Sequence, residues 1–337
     1  PKSHAAAFGL LAYQSTWLKV HHPSEFFCAL YNNWPMGFYP PHVFTNDARR
    51  HGVRVLGPNV NVSLASCTVE SPPSPQPSPR RGEGVLGEGV VRIGLGYVHG
   101  LGKAGADAVV EARADAGPFR SLFDFMHRTG LRTEAVENLV RVGAFSDLGL
   151  NRRELLWQLG LFGGGLQRGW LSRPPKARQL RLGLPTSQDE VQLPDFSAYE
   201  RMAADYEVLK LSPDSHPMAF QRPWLDTLGV ASSLSLQLTQ TQRRVETAGL
   251  VVCRQRPGTA KGIVFLLLED EHGMTNVLIP AQLYDEQRVV VRSCDFLWVG
   301  GVLEGHAGAV PMLRAERVAR LRDQAEPLRT PQGKSWG

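Results

Sequence analysis

The chain has 337 residues, 42% of them hydrophobic, which is enough for two or three ordinary cores and excludes a peptide or a wholly disordered tail. No run of about eighteen apolar residues occurs, so no membrane-crossing helix is expected, and the four cysteines, Cys28, Cys67, Cys253 and Cys294, lack the CxxC spacing of a zinc finger or a disulfide framework, which fits a reducing cytoplasm. The formal charge of +5, from 37 basic and 32 acidic residues, tolerates a polyanionic partner without demanding one.

The first residues, Pro1-Lys2-Ser3-His4, hold neither an initiating Met nor a signal-type apolar core, and the expectation is a piece whose true start lies upstream. Residues 3 to 36 read as helical: Ala5-Ala6-Ala7 is a strong helix former, Phe8, Leu11, Ser15 and Leu18 recur near a 3.6 period, and a second helix begins at Pro23-Ser24. His42 to His51 predicts a third helix closed by Gly52, and Val53 to Leu56 a short strand. Residues 71 to 89, rich in Pro, Ser and Gly, are expected to be a disordered insertion in a turn between Val69-Glu70 and Val91 to Leu95, which read as paired strands.

The positive charge gathers in the middle, where residues 90 to 190 hold fourteen basic against ten acidic residues. Within it, Arg152, Arg153, Arg168, Arg173, Lys176, Arg178 and Arg181 stand against the single acid Glu154, as either a solvated loop or a strip that tracks phosphates. The pattern over 98 to 162 is helix, glycine turn, helix, twice over: helices opening at Val98 to Lys103, over Phe119 to Arg128, over Arg132 to Val142 and over Arg152 to Leu161, with a turn at Gly143. The Gly100-Leu101-Gly102 turn resembles a helix-hairpin-helix, in which glycines let N–H groups at a helix N-terminus face a DNA phosphate with no Cβ in the way. Lys103 would add a point charge beside them. A plain glycine cap between packed helices is the competing reading, which the second turn around Gly143 weakens. A Gly- and Pro-rich connector, 163 to 194, follows, then helix and loop over 200 to 228.

From 245 the period changes. Val245 to Cys253, Ile263 to Leu268, Asn276 to Pro280, Phe296 to Leu303 and Val310 to Leu313 are five β-rich runs, with a short helix at Ala281 to Arg288 after the third. This is the order of an OB-fold barrel. Phe265, Phe296 and Trp298 are candidate base-stacking aromatics, each as readily a core residue, and Arg254, Arg256 and Lys261 flank the first loop as backbone-tracking cations. Gln192-Leu193-Pro194-Asp195-Phe196 looks like the short Gln-Leu-x-x-Phe peptides that dock into a sliding-clamp groove, and an accidental match is the alternative. No HExxH, nucleophile elbow or phosphate loop occurs, so neither a catalytic nor a metal site is expected in this chain.

Lys2 to Lys19 with His22-Pro23-Ser24-Glu25-Phe26-Phe27 closely resembles the fingers region of bacterial C-family (DnaE-like) DNA polymerases. Met202 to Tyr206 with His216-Pro217-Met218 looks like that family's linker into its OB domain, and Ala248 to Gly262 with Leu268 to Glu271 resembles its error-prone translesion branch (ImuC type). The resemblance implies a nucleotidyltransferase, active in damage-induced synthesis, that works on primer-template DNA with the sliding clamp, an inactive Y-family-like partner and a RecA-related accessory protein. It also implies a palm that binds magnesium and a PHP domain, neither within these residues, so the chain is expected to bind DNA without polymerising and to hold no cofactor of its own. Lys2 and His4 would lie near the missing catalytic core. The expected fold is multidomain α+β: the end of the fingers over 1 to 70, the insertion 71 to 89, a tandem helix-hairpin-helix domain over 90 to 162, a connector over 163 to 240, an OB-fold β-barrel over 241 to 322 and a tail from 323. The alternatives are a replicative α-subunit fragment and a non-enzymatic nucleic-acid-binding module.

Overall fold

A computed structural model describes residues 2–37, 39–70, 89–165, 191–305 and 310–321. Residues 71–88 of the insertion, the tail and the basic residues Arg168 to Arg181 lie outside the described residues. Two compact units emerge, both discontinuous in sequence: one takes 1–55, 69–91 and 210–337, the other 56–68 and 92–209. Three short strands, β1 (Arg54–Leu56), β2 (Thr68–Glu70) and β3 (Val90–Arg92), form a sheet in the order β1-β3-β2, so the expected pairing across the insertion is present.

The first unit opens with α1 (Lys2–His21), α2 (Pro23–Asn32) and α3 (Pro41–Arg50). Helix α1 has no buried residue, although Phe8, Leu11 and Tyr13 are apolar. Pro23 and Pro41 stand in the first turns of α2 and α3, where a missing N–H costs nothing. In the same unit follow α9 (Pro217–Thr227) and α10 (Ser233–Leu238), then the barrel: β4 (Arg244–Gln255), β5 (Val264–Glu269), β6 (Met274–Ile279), α11 (Ala281–Ser293), β7 (Phe296–Glu304) and β8 (Met312–Arg320). The barrel closes in the order β4-β5-β6-β8-β7; β4 pairs antiparallel with both β5 and β7, and β8 pairs parallel with β6. Five strands in this order with a helix after the third make an OB-like barrel.

Alternation sets its interior. On β5, Val264, Leu266 and Leu268 point inward with Val277, Ile279, Leu297, Val299 and Leu313, and α11 adds Tyr284 and Val291. Outside, a second cluster joins Met218 and Leu225 of α9 to Leu250 and Phe296, with Trp224 and Trp298 packed against it. Phe296 is therefore a core residue, and the Trp298 indole N–H donates to Glu246 Oε2 at 3.0 Å. The stacking role is corrected for Phe296, which is 8% exposed. At the β5 end, the fully buried Glu269 accepts from Asn46 Nδ2 (3.0 Å) and Arg50 Nη1 (3.2 Å) of α3, with His216 Nε2 at 3.7 Å. Burial pushes the Glu269 carboxyl up, but the close approach of His216, with the charges of His42 and Arg50, outweighs it and holds it below the ordinary carboxylate value. Burial pushes neighbouring His42 down to about 4, against the pull of Glu269.

The second unit is helical: α4 (Gly102–Ala116), α5 (Leu122–Thr129), α6 (Thr133–Arg141), α7 (Arg152–Gly165) and α8 (Ala198–Leu209). Its centre is aromatic, with Phe125 edge-on to Phe119 and Phe145, both at 4.9 Å. Arg128 closes the end of α4: it donates to the carbonyls of Ala112 and Gly117, pairs with Asp124 at 3.1 Å and lies 4.3 Å over the Phe119 ring. Ser121 caps α5, and Gly130, at φ 61°, ends it.

Candidate nucleic-acid interface

In the second unit the chain reverses at His99 to Gly102 before entering α4. Gly100 (φ 80°) and Gly102 (φ 66°) adopt left-handed backbone on either side of Leu101, which is right-handed. That geometry turns Leu101 inward, 7% exposed, where its Cδ1 lies 2.8 Å from the position a Cβ on Gly105 would occupy. The Asn138 amide holds the turn from α6 by donating to the His99 carbonyl at 2.9 Å. The spacing Gly-Leu-Gly-x-x-Gly is thus explained: two glycines for the backbone and a third to admit the leucine.

Outside, Gly100, Gly102, Lys103 and Ala104 are exposed. The first N–H groups of a helix have no intrahelical acceptor, and the aligned peptide dipoles favour an anion there. The first turn of α4 carries no acid. An added Cβ on Gly102 would meet nothing within 4 Å, so the turn is open on the side toward which a Gly102 side chain would project. The assembly suits a phosphate, gripped by backbone groups and one ammonium without regard to base sequence.

The second turn differs. Gly143 (φ 74°) also reverses the chain, but its N–H donates to Val140 O and that of Ala144 to Leu139 O, both at 2.9 Å. The Arg152 guanidinium covers it: a Cβ on Gly143 would lie 2.8 Å from Arg152 Nη2. Arg152 donates to the Arg141 carbonyl (2.7 Å) and pairs with the buried Asp205 at 3.7 Å. Arg153 pairs with Glu200 at 2.5 Å and lies 5.2 Å over the Phe196 ring. Of the residues read from the sequence as DNA contacts, Gly143 and Arg152 are engaged within the unit, and Arg153 is paired at its surface.

The peptide 191 to 197 runs beside α7. Gln192 is exposed, whereas Leu193 and Phe196 are half-buried. Asn151 Nδ2 donates to Leu193 O at 2.6 Å, and Leu193 N–H donates to Glu154 Oε1 at 3.3 Å. Asn-x-x-Glu at 151 to 154 is a capping-box spacing, a signal present in the sequence that the motif reading passed over.

In the barrel of the first unit, Arg254 departs from its sequence assignment. It stands within β4 at 7% exposure, and its guanidinium donates to the carbonyls of Val291 (2.9 Å) and Cys294 at the end of α11. It is a structural tie and not a loop cation. Arg256 and Lys261 are exposed in the β4–β5 loop. The Arg256 guanidinium lies 4.7 Å over Tyr284, with Nη2 3.7 Å from where a Cβ on Gly262 would stand. Phe265 pairs with Gln255 and Leu278 and points to the half-exposed outer side of β5. These three side chains share one end of the barrel. Lys2 and His4 are exposed on α1.

Among the described residues, no group of three or more His, Cys, Asp or Glu could hold a metal ion, and no helix is long and apolar enough to cross a membrane.

Residues 52–155 match the family described as the helix-hairpin-helix motif. The chain is 40% identical over 322 residues to the error-prone DNA polymerase of Anaeromyxobacter sp. (strain K), covering 95% of this chain and 27% of that protein. It is 39% identical over 321 residues to the error-prone DNA polymerase of Mycolicibacterium paratuberculosis (95% and 27%), and 40% identical over 304 residues to that of Burkholderia pseudomallei (90% and 26%). The chain spans about a quarter of the length of the curated relatives it matches. Among solved structures, asparaginyl-tRNA synthetase from Pyrococcus horikoshii aligns at 17% identity with a TM-score of 0.21 over 26% of this chain and 21% of that one.

Proposed function

We propose that this chain is the DNA-gripping part of an error-prone DNA polymerase used in damage-induced translesion synthesis in the bacterial cytoplasm. The observation that carries the reading is the open Gly100-Leu101-Gly102 turn with Lys103 at the start of α4, inside the segment that matches the helix-hairpin-helix motif. The names of the relatives supply the reaction, nucleotidyl transfer onto a primer. The finer assignments are part of the same proposal: the translesion branch, a tandem hairpin domain of which the first turn holds DNA, and helices α1 to α3 as the end of a fingers domain.

In this reading the first turn holds one phosphate of the duplex through N–H groups and Lys103. The barrel edge formed by Arg256, Lys261 and Phe265 holds a single strand, with the cations along its backbone and the ring against a base. Lys2 and His4 face the catalytic core. The magnesium of the whole enzyme would be held by aspartates in the three quarters of the relatives that this chain does not match. The clamp is a partner through Gln192, Leu193 and Phe196; the inactive Y-family-like protein and the RecA-related protein are partners of the whole enzyme.

The test is fluorescence anisotropy of the chain on labelled primer-template DNA across a salt series. Binding should weaken steeply with salt, and Lys103→Ala should reduce the salt slope by about one unit, the signature of one lost phosphate contact. A slope that does not change with Lys103→Ala removes the turn from the interface. Primer extension by the chain alone would overturn the division of labour.

A further inference from the structure

In the peptide Gln192-Leu193-Pro194-Asp195-Phe196, the Leu193 main chain and the Phe196 ring, both of which a docking peptide must present, are already engaged. Asn151 and Glu154 each do two jobs. Toward their own helix they form a reciprocal cap, with Glu154 N–H donating to Asn151 Oδ1 (3.0 Å) and Asn151 N–H donating to Glu154 Oε2 (2.9 Å). Toward the peptide, the remaining amide of Asn151 and the remaining oxygen of Glu154 take both main-chain groups of Leu193. Asp195 accepts from the Arg152 N–H at 3.2 Å and pairs with Arg201 at 3.7 Å. The Arg153 guanidinium, fixed by Glu200, lies over Phe196. Gln192 borders a cavity of about 250 Å³ lined by Leu150, Glu154, Trp157 and Gln158.

We infer that α7 is a latch for this peptide, so that the segment reaches the sliding clamp only after leaving the cap of α7. The inference rests on the docking reading of Gln192, Leu193 and Phe196 given above. Its physical content is a competition. A groove that takes the Leu193 and Phe196 side chains cannot do so while the Leu193 main chain is bonded to Asn151 and Glu154 and the Phe196 ring is covered. The apparent affinity is the intrinsic affinity multiplied by the fraction of chains with the peptide released. The helix cap survives release, because its two reciprocal bonds use the other atoms of the same side chains. The latch therefore opens without unwinding α7.

Asn151→Asp separates the two jobs. Asp keeps the oxygen that caps α7 and is a good capping residue, but it replaces the amide that donates to the Leu193 carbonyl with an oxygen that repels it. Binding to purified sliding clamp is measured by surface plasmon resonance for the whole chain, for the Asn151→Asp chain, for a Phe196→Ala chain and for a synthetic peptide of residues 190 to 198, which needs no fold. With a latch closed about 90% of the time, the peptide and the Asn151→Asp chain bind about tenfold tighter than the native chain, and Phe196→Ala abolishes binding. Equal affinity of the native chain, the Asn151→Asp chain and the peptide overturns the latch and leaves docking standing. No binding by the peptide or by the Asn151→Asp chain overturns the docking reading and the latch with it. The peptide comparison decides even if the variant chain does not fold.

Discussion

Replacing Gly102 and Gly143 by valine, one at a time, separates the two turns of the helical unit. Both glycines have left-handed backbone, which costs an L-residue roughly 1–2 kcal/mol. At Gly102 an added Cβ meets no atom within 4 Å, so the loss of stability comes mainly from the backbone conformation. It stands, however, where a phosphate would approach. Losing one charge-assisted hydrogen bond of roughly 1.5–3 kcal/mol raises the dissociation constant for duplex DNA by about tenfold to a hundredfold. At Gly143 the valine drives into Arg152, displacing a guanidinium bonded to the Arg141 carbonyl and paired with Asp205, whose side chain is 5% exposed. Breaking a buried pair from one side costs roughly 3–5 kcal/mol, to be added to the backbone term. Gly143→Val should therefore melt well below the native chain in circular dichroism, while its folded fraction binds primer-template DNA with native affinity in anisotropy at 25 °C. Gly102→Val should melt only modestly below the native chain and lose affinity for the DNA. Loss of affinity in a fully folded Gly143→Val protein, or native affinity in Gly102→Val, would refute the assignment of the grip to the first turn alone.

Two further outcomes bear on the first unit. His42 is neutral in the folded chain down to about pH 4, against 6.5 when unfolded, so the unfolded state binds more protons between those values and stability rises with pH across that window. The contribution is fully present above 6.5 and lost as pH falls toward 4, to a total of about 3 kcal/mol at 1.36 kcal/mol per pKa unit. Chemical denaturation at pH 7 and pH 4.5 should show it, and His42→Gln should flatten that slope, leaving the part due to Glu269 at the acid end; an unchanged slope would exclude His42 as its source. In the barrel, Arg254→Met should lower the melting temperature by removing two bonds to carbonyls of α11 while leaving single-strand affinity intact, whereas Arg256→Ala with Lys261→Ala should weaken single-strand affinity with little change in melting temperature. A native melting temperature for Arg254→Met would refute the structural tie.

The barrel was legible because its strands alternate. Val264, Leu266 and Leu268 announce an inward face whatever surrounds them. The alternation predicts the fifth strand over Val310 to Leu313, whereas it runs over Met312–Arg320, since Glu316 and Arg317 are both exposed and break the alternation beside the register shift at Gly300/Gly301. A bulge of this kind hides a strand from any two-residue period. Arg254 escapes sequence reasoning for a different reason: an arginine next to a loop looks exposed, and the carbonyls that bury it come from residues 37 and 40 positions later. The first glycine turn was legible as a local motif because its conformation is written in three residues. The difference between the two turns was not, because Asp205, which helps hold Arg152 over Gly143, belongs to a helix far along the chain. Likewise the capping-box spacing at Asn151 and Glu154 was visible, but what its spare atoms hold was not.

The bonds from α3 to Glu269 have a consequence for the order of events during synthesis. Arg50 leaves the ribosome 219 residues ahead of the carboxylate it pairs with. At about 5–20 residues per second, α3 exists for roughly 10–40 s without the partner that completes its buried face. Within that interval all of residues 92–209 are made, an uninterrupted stretch that supplies most of the helical unit. The helical unit can therefore finish first, although α3 precedes it in the chain, and the unit begun earliest closes only when β5 arrives.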